Sequence, residues 1–362
     1  MKERDKTINA LQHIIADYNS ILEYVMNCRN NDLDYCCSMA IMPFFCMYVA
    51  EGFDYLVKNQ IINANCISLE DLRRIKKCRA LGVKLYSSFK QSTFNSINDF
   101  NREEYIKFFK KAFPNSNVKL LKIVDNYFLC FVDGLPVGNY HLYAKKILNM
   151  DIGSYIEDVS GRVYQHSYLL TSFISTVVKS LNQSLNIDTI GKKAISIQAD
   201  YADLNMAYNY SNFSIKNCPP ILMALLDVLC VVNSFRKVFS LINKDEIFGI
   251  KVGYSILFYS VLSIKEIILY CESNSIIIPA AYELLVSTDK LENKYIKNRL
   301  RKFCMHYDFP ENDWIEEPFS EEFENNFDMD LKAVFCQLTE DIDMLGDSLQ
   351  TFLIKRDFIS QP

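Results

Sequence analysis

Arg301 and His306 lie in the stretch Asn298-Arg299-Leu300-Arg301-Lys302-Phe303-Cys304-Met305-His306-Tyr307-Asp308, and their types and spacing suit them to act on a phosphodiester. An imidazole can take or give the proton of a ribose 2′-hydroxyl near neutral pH. A guanidinium, which stays charged, holds the phosphate and stabilises the negative charge that builds on it. Together they form the minimum kit for cutting RNA without a metal. Lys294, Lys297, Arg299, Arg301 and Lys302 precede the histidine, and from Asp308 to Asp330 ten carboxylates follow with no Lys or Arg among them. The chain turns from basic to acidic at His306.

A straight helix constrains how this pair could meet. Five residues advance about 500°, which places Arg301 and His306 roughly 140° apart and off a common face. Either the helix ends near Met305 and turns His306 inward, or a second chain completes the site across a two-fold axis. Arg299, Lys302 and His306 do share a face, at spacings of three and four. Lys302, Arg299 and Asn298 are the residues expected to hold an RNA backbone beside the catalytic candidates Arg301 and His306.

The run from Arg301 to Asp308 resembles the R-x4-6-H motif of the HEPN superfamily, all-α domains of which many are metal-independent endoribonucleases. The resemblance continues through Pro310 to Phe319 and Glu324 to Phe327 into an amphipathic helix beginning near Met329. Arg299 also satisfies the motif's spacing to His306 and is the reserve candidate. Lys302 stands where one prokaryotic branch often has Asn. In another branch a modifiable tyrosine lies two places after the histidine; here Tyr307 follows directly and Asp308 takes that place, so tyrosine modification is not the expected regulatory route.

The resemblance implies a HEPN-like antiparallel helical bundle over residues 216–362, acting on RNA with no metal and no cofactor and leaving 2′,3′-cyclic phosphate ends. It also implies a homodimer whose motifs meet in one cleft. The roles it suggests are a toxin of a toxin–antitoxin pair, a phage-defence effector or an RNA-processing factor, with an antitoxin or other regulatory protein as partner. Residues 1–215 would then form a helical regulatory or target-recognising domain. The opposed reading is a non-catalytic dimerisation, regulatory or partner-binding protein. In it His306 caps its own helix and the basic turn pairs with the acidic run from Glu311 to Glu324.

Composition supports a predominantly all-α fold. Half of the 362 residues are hydrophobic, and only 10 Gly and 9 Pro interrupt them, so long stretches are free of helix breakers. The aromatic residues, 25 Phe and 22 Tyr, read as core filling. A net charge of −5 supplies no global positive field, so an RNA site must be local. The 12 Cys are scattered, form no CxxC pair and include the adjacent Cys36-Cys37, while the N-terminus carries no signal-peptide pattern. They are expected to be reduced and mostly buried in a cytoplasmic protein with no membrane span.

Taken in order, Leu11, Ile14, Ile15, Tyr18, Ile21, Leu22 and Val25 recur at three and four, the stripe of an amphipathic helix from Lys6 to about Cys28. Cys36 to Ala50 carries no charge, but it is short for a membrane span, contains Pro43 and is flanked by Asp32, Asp34, Glu51 and Asp54, which favours a buried helix. Ser68 reads as an N-cap followed by Glu70 and Asp71. It opens a helix bearing Arg73, Arg74, Lys76, Lys77, Arg79 and Lys84, which reads as a solvated face or a partner for an acidic surface, and as a phosphate track in the functional alternative.

A short helix is expected over Glu103 to Phe113. Tyr127 to Val132, Asp133-Gly134 and Pro136 to Tyr143 suit a short β-hairpin near 125–145, and a helix from Val118 to Phe131 fits almost as well. Val163 to Leu181 is again helical. His13, His141 and His166 have no ligand-spaced carboxylate or Cys around them. Segment 184–218 is the candidate boundary, and Gly191-Lys192 lacks the upstream glycines of a phosphate-binding loop. Beyond it, helices are expected at 220–242, 246–272 and 278–306, the last broken near Asp289. The terminal helix carries Leu331, Val334, Phe335, Leu338, Ile342, Leu345, Leu349 and Phe352 in register.

Overall fold

With so few breakers, the chain builds long helices. The computed structural model describes residues 2–30, 40–83, 85–99, 126–139, 156–182, 199–205, 214–215, 218–243, 245–307 and 318–354. Its N-terminal elements are α1 (Lys2–Asn30), α2 (Met42–Lys58), α3 (Leu69–Gly82) and α4 (Gln91–Asp99). Strands β1 (Asn126–Val132) and β2 (Leu135–Asn139), helix α5 (Ile156–Ser180) and strand β3 (Ala199–Asn205) follow. The C-terminal elements are α6 (Pro219–Ser234), α7 (Glu246–Ser273), α8 (Ala281–Tyr295), α9 (Asn298–Met305), α10 (Pro318–Phe327) and α11 (Leu331–Leu353). Helix α6 runs on through a π-helical turn, Phe235–Phe239, to Ile242. The fold is predominantly all-α.

Helix α7 is the axis of the molecule. Among the described residues it is the one helix long and apolar enough to cross a membrane, yet the protein itself covers 83% of its most apolar window. A helix that is apolar all round needs partners on every side, and α1, α2, α6, α8, α9 and α11 supply them. Tyr254 of α7 meets Tyr295 of α8, while Lys265 meets Asp289 and Glu292, so these two helices run antiparallel. Contacts between Ser214 and Leu353, and between Arg236 and Asp343 and Asp347, set α6 antiparallel to α11 in the same way. Helices α7 and α11 run parallel across this bundle, in close approach at two glycines. A Cβ on Gly249 would lie 2.6 Å from Phe335, and one on Gly253 would lie 3.0 Å from Phe235 and 3.1 Å from Leu338.

On the other side of α7, the N-terminal helices join the same core. Buried residues before and after residue 215 form one continuous cluster, in which the rings of Phe45, Tyr48, Phe239 and Phe248 meet. At its centre Lys251 donates to both oxygens of Asp17, at 3.0 and 2.7 Å, and the Tyr307 hydroxyl donates to Asp17 at 2.6 Å. Both partners of the ion pair are 1% exposed. Burial raises the Asp17 carboxyl above the usual carboxylate range, against the opposing pull of Lys251 and Tyr307. His13, one turn earlier on α1, is lowered to about 3 by burial and by the Lys251 charge.

Several expected elements are found. Pro43 stands in the first turn of α2, where its missing N–H costs nothing. Ser68 caps α3, its hydroxyl accepting from the Asp71 amide at 3.1 Å. Asp330 caps α11 by accepting from Ala333 at 2.7 Å. The hairpin forms over 126–139, through a turn in which Asp133 (φ 50°) and Gly134 (φ 72°) both take the left-handed region. It displaces the alternative helix over 126–131. Strand β3 pairs antiparallel along the whole of β1, giving the order β2-β1-β3, and it falls inside the segment read as the boundary. The expected helix over Glu103 to Phe113 lies outside the described residues. The break expected near Asp289 occurs instead at Ile296 and Lys297, where the Tyr254 hydroxyl donates to the Tyr295 carbonyl at 3.0 Å.

Removing one member of a buried ion pair strands the other, a loss of about 3–5 kcal/mol. Lys251→Met alone is expected to lower unfolding stability by that order in urea denaturation. Asp17→Asn combined with Lys251→Met should recover most of it, because the amide oxygen still accepts from Tyr307 and no charge is left buried.

Candidate active site

Helix α9 is amphipathic over its two turns. Leu300, Phe303, Cys304 and Met305 are buried, while Asn298, Arg299, Arg301 and Lys302 are exposed. The helix stops at Met305 because the next residue is extended: His306 has φ −136° and ψ 158°. Tyr307 is then drawn into the core, 3% exposed, by its bond to Asp17. Successive side chains of an extended segment point to opposite sides. With Tyr307 directed inward, His306 is left at the surface of the core, half-buried. The helix does end at Met305, as one of the two arrangements required, but the residue turned inward is Tyr307 and not His306.

Opposite α9 lies α2, and between them is a cavity of about 600 Å³. Helix α2 contributes Glu51, Asp54, Tyr55 and Lys58; the other wall is Asn298, Arg301, Lys302, His306 and Tyr307. Nδ1 of His306 lies 2.9 Å from Glu51. A carboxylate only accepts, so this contact puts the proton on Nδ1 and leaves Nε2 as the basic nitrogen of the neutral ring. The other oxygen of Glu51 pairs with Arg79 of α3, and Asp54 pairs with Lys76 at 2.8 Å. Burial opposes a charge on Glu51, but the His306 hydrogen bond and the Arg79, His306 and Lys76 charges outweigh it and hold the carboxyl below its usual range.

The cations of the facing wall are differently placed. Among the described residues no carboxylate comes within ion-pair distance of Arg301 or Lys302, and the Arg301 guanidinium lies 5.9 Å from the ring centre of Phe258. The cavity thus sets Arg301 and Lys302 beside a histidine oriented by a carboxylate.

The structure brings four of the five sequence candidates into this cavity: Asn298, Arg301, Lys302 and His306. Arg299 does not line it. Its Nε donates at 2.6 Å to Glu322, a 5% exposed residue of α10 that Asn326 also holds. The shared face predicted for Arg299, Lys302 and His306 assumed a continuous helix, and His306 lies beyond its end. Sequence reasoning missed Glu51, Asp54, Tyr55 and Lys58 as site residues. Their signal was available: spacings of three, four and seven make a polar stripe on an otherwise apolar helix.

Among the described residues no group of three or more His, Cys, Asp or Glu is placed to hold a metal ion. Among the described residues eight cysteines are buried, including Cys304 beneath the site, whose thiol burial pushes well up, so these are core residues and not nucleophiles. Cys66 is half-buried and Cys336 exposed. Of the other histidines, His166 falls on α5 and His141 lies outside the described residues.

No protein-family model, curated protein or solved structure matches this chain. The resemblance of Arg301 to Asp308 to the HEPN motif therefore rests on the sequence of those residues alone.

Because the folded chain holds Glu51 ionised more readily than the unfolded chain, its stabilising effect is full above the ordinary value of 4.5 and is lost as pH falls through the lower folded value. The stability advantage of the wild type over Glu51→Gln should be full above the ordinary value of 4.5, shrink as pH falls below it, and vanish only once the lower folded value is passed. His13 loses stability in the same direction but over a wider window, from 6.5 towards 3, and is unchanged in this comparison. Thermal denaturation of both proteins across pH reads the difference directly.

Proposed function

We propose that this protein is a metal-independent endoribonuclease of HEPN type, with Arg301 and His306 as its catalytic residues. The observation that carries the proposal is the end of α9 at Met305, which puts His306 in one cavity with Arg301 and Lys302 within a single chain. In this reading the Nε2 of His306 takes the proton of a ribose 2′-hydroxyl. The 2′-oxygen attacks the adjacent phosphorus and the bond from phosphorus to the 5′-oxygen breaks. One product ends in a 2′,3′-cyclic phosphate, and the leaving oxygen takes a proton from solvent to become a 5′-hydroxyl. Arg301 stabilises the charge gathering on the phosphate, and Lys302 and Asn298 hold the backbone beside it. Glu51 keeps the ring in the basic tautomer and stabilises the imidazolium that forms, as an acceptor on the far nitrogen does for catalytic histidines generally.

Homodimerisation, an antitoxin or other regulatory partner, and a role as a toxin or phage-defence effector belong to the same proposal. The chemistry itself needs no second protomer when both groups line one cavity. One observation favours the opposed reading, a non-catalytic helical regulatory or partner-binding protein: Arg299 pairs with Glu322, so part of the basic turn does meet part of the acidic run.

The test is incubation of the protein with RNA in the presence of a chelator, beside His306→Ala and Arg301→Ala variants of matched fold. Cleavage that survives the chelator, leaves cyclic phosphate ends and falls by about 10²–10⁴-fold in His306→Ala is the expected result. An equivalent all-deoxy strand should remain intact, since it has no attacking hydroxyl. Cleavage of that strand, or wild-type activity in both variants, refutes the proposal.

A further inference from the structure

The cavity does not end at its own lining. Helix α3 forms its outer rim, because Lys76 and Arg79 are paired with the cavity carboxylates Asp54 and Glu51. Arg73 precedes Lys76 by three residues and Lys77 follows Arg73 by four, so around the helix the order is Arg79, Lys76, Arg73, Lys77, leading away from the cavity. Arg73 and Lys77 are exposed, and among the described residues neither has an ion-pair partner. Arg74 is exposed too, but it lies on the far side of the helix from Lys76. Glu70 stands on the outer edge of the band, and Asp71 is occupied by the Ser68 cap.

Charge is thus divided along this surface. Glu51 and Asp54 are committed to Arg79, Lys76 and His306, while Arg301 and Lys302 on one side and Arg73 and Lys77 on the other have no carboxylate at ion-pair distance among the described residues. In a protein of net charge −5 this is a local positive band. Its width exceeds the needs of one phosphate, since Arg73 and Lys77 are separated from the cavity wall by the row of Lys76 and Arg79.

We infer that Arg73 and Lys77 of α3 extend the cavity into a track for single-stranded RNA, so that the backbone beyond the bond to be cut lies along α3. This rests on the endoribonuclease reading for the choice of RNA as the polyanion. The track contains no aromatic platform on α3, so it holds phosphates and not bases, and it carries no sequence preference of its own.

The experiment compares wild type with Arg73→Gln/Lys77→Gln, two exposed changes, using a 12-nucleotide 2′-O-methyl RNA that cannot be cut and a dinucleotide that spans only the cavity. Each phosphate contact on a single strand contributes about 0.7 to the slope of log affinity against log salt, so losing two should lower the slope by about 1.4. The expected result is that drop for the long oligonucleotide, with turnover of the dinucleotide unchanged. An unchanged slope overturns the track, whether or not the protein cuts RNA. The lower slope in a protein that cuts nothing upholds the track and refutes the catalytic reading alone. Displacement of the oligonucleotide by polyglutamate as readily as by RNA overturns the assignment to RNA and makes the band a docking face for an acidic protein.

Discussion

The buried contact among Asp17, Lys251 and Tyr307 is the constraint on which the rest of the structure depends. Taking a carboxylate and an ammonium out of water is costly, and the loss is offset only where every hydrogen-bonding position is met. Here Lys251 reaches both carboxylate oxygens and Tyr307 donates a third bond. These residues come from α1, α7 and the turn after α9, so the arrangement forms only when all three are in place. It gives the apolar axis helix a buried charged anchor against α1, and that anchor fixes its rotation relative to α1. It also draws Tyr307 inward, which stops α9 and sets the position of His306. A charge pair with no exposure of its own thereby decides the geometry of a surface site.

Around that site the electrostatics are arranged by competition. Glu51 serves two partners, the Arg79 guanidinium and the His306 imidazole, and is held below its usual range despite its burial because both act on it. Asp54 is taken up by Lys76. The acidic stripe of α2 is therefore paired with the cations of α3, Lys76 and Arg79, and the positive charge of α9 is left facing the cavity. The acidic residues after His306 contribute through Glu322, which holds Arg299 away from the cavity. The change from basic to acidic at the histidine has a structural use for one arginine and leaves its neighbours Arg301 and Lys302 exposed.

Much of the helical framework was legible in the chain because it depends on local rules. The caps at Ser68 and Asp330 use a side chain to satisfy amides within the next three residues. The register of α11 follows from its apolar spacing, and the Asp133-Gly134 turn from its tolerance of positive φ. Where the outcome depended on distant partners, the pattern fell short. Strand β3 contains Asp and Asn, residues poor in strand propensity, and exists because β1 offers it a full set of partners. The break at Ile296 and Lys297 owes its position to a tyrosine hydroxyl from another helix, with nothing in its own sequence to place it there.

For the site, the sequence by itself determined the chemical inventory: a lone histidine among arginines and lysines, at a spacing able to serve a phosphodiester, in a protein without a general positive field. It also determined that a continuous helix would keep Arg301 and His306 apart. Only the tertiary structure decided that the helix ends between them, that Arg299 belongs to Glu322, and that Glu51 holds the imidazole from across the cavity. The reason is range. Helix faces, caps and turns are set by residues within one or two turns of each other, whereas Asp17, Glu51 and Lys251 meet the segment around His306 from positions far away in the chain, through burial that no local pattern encodes.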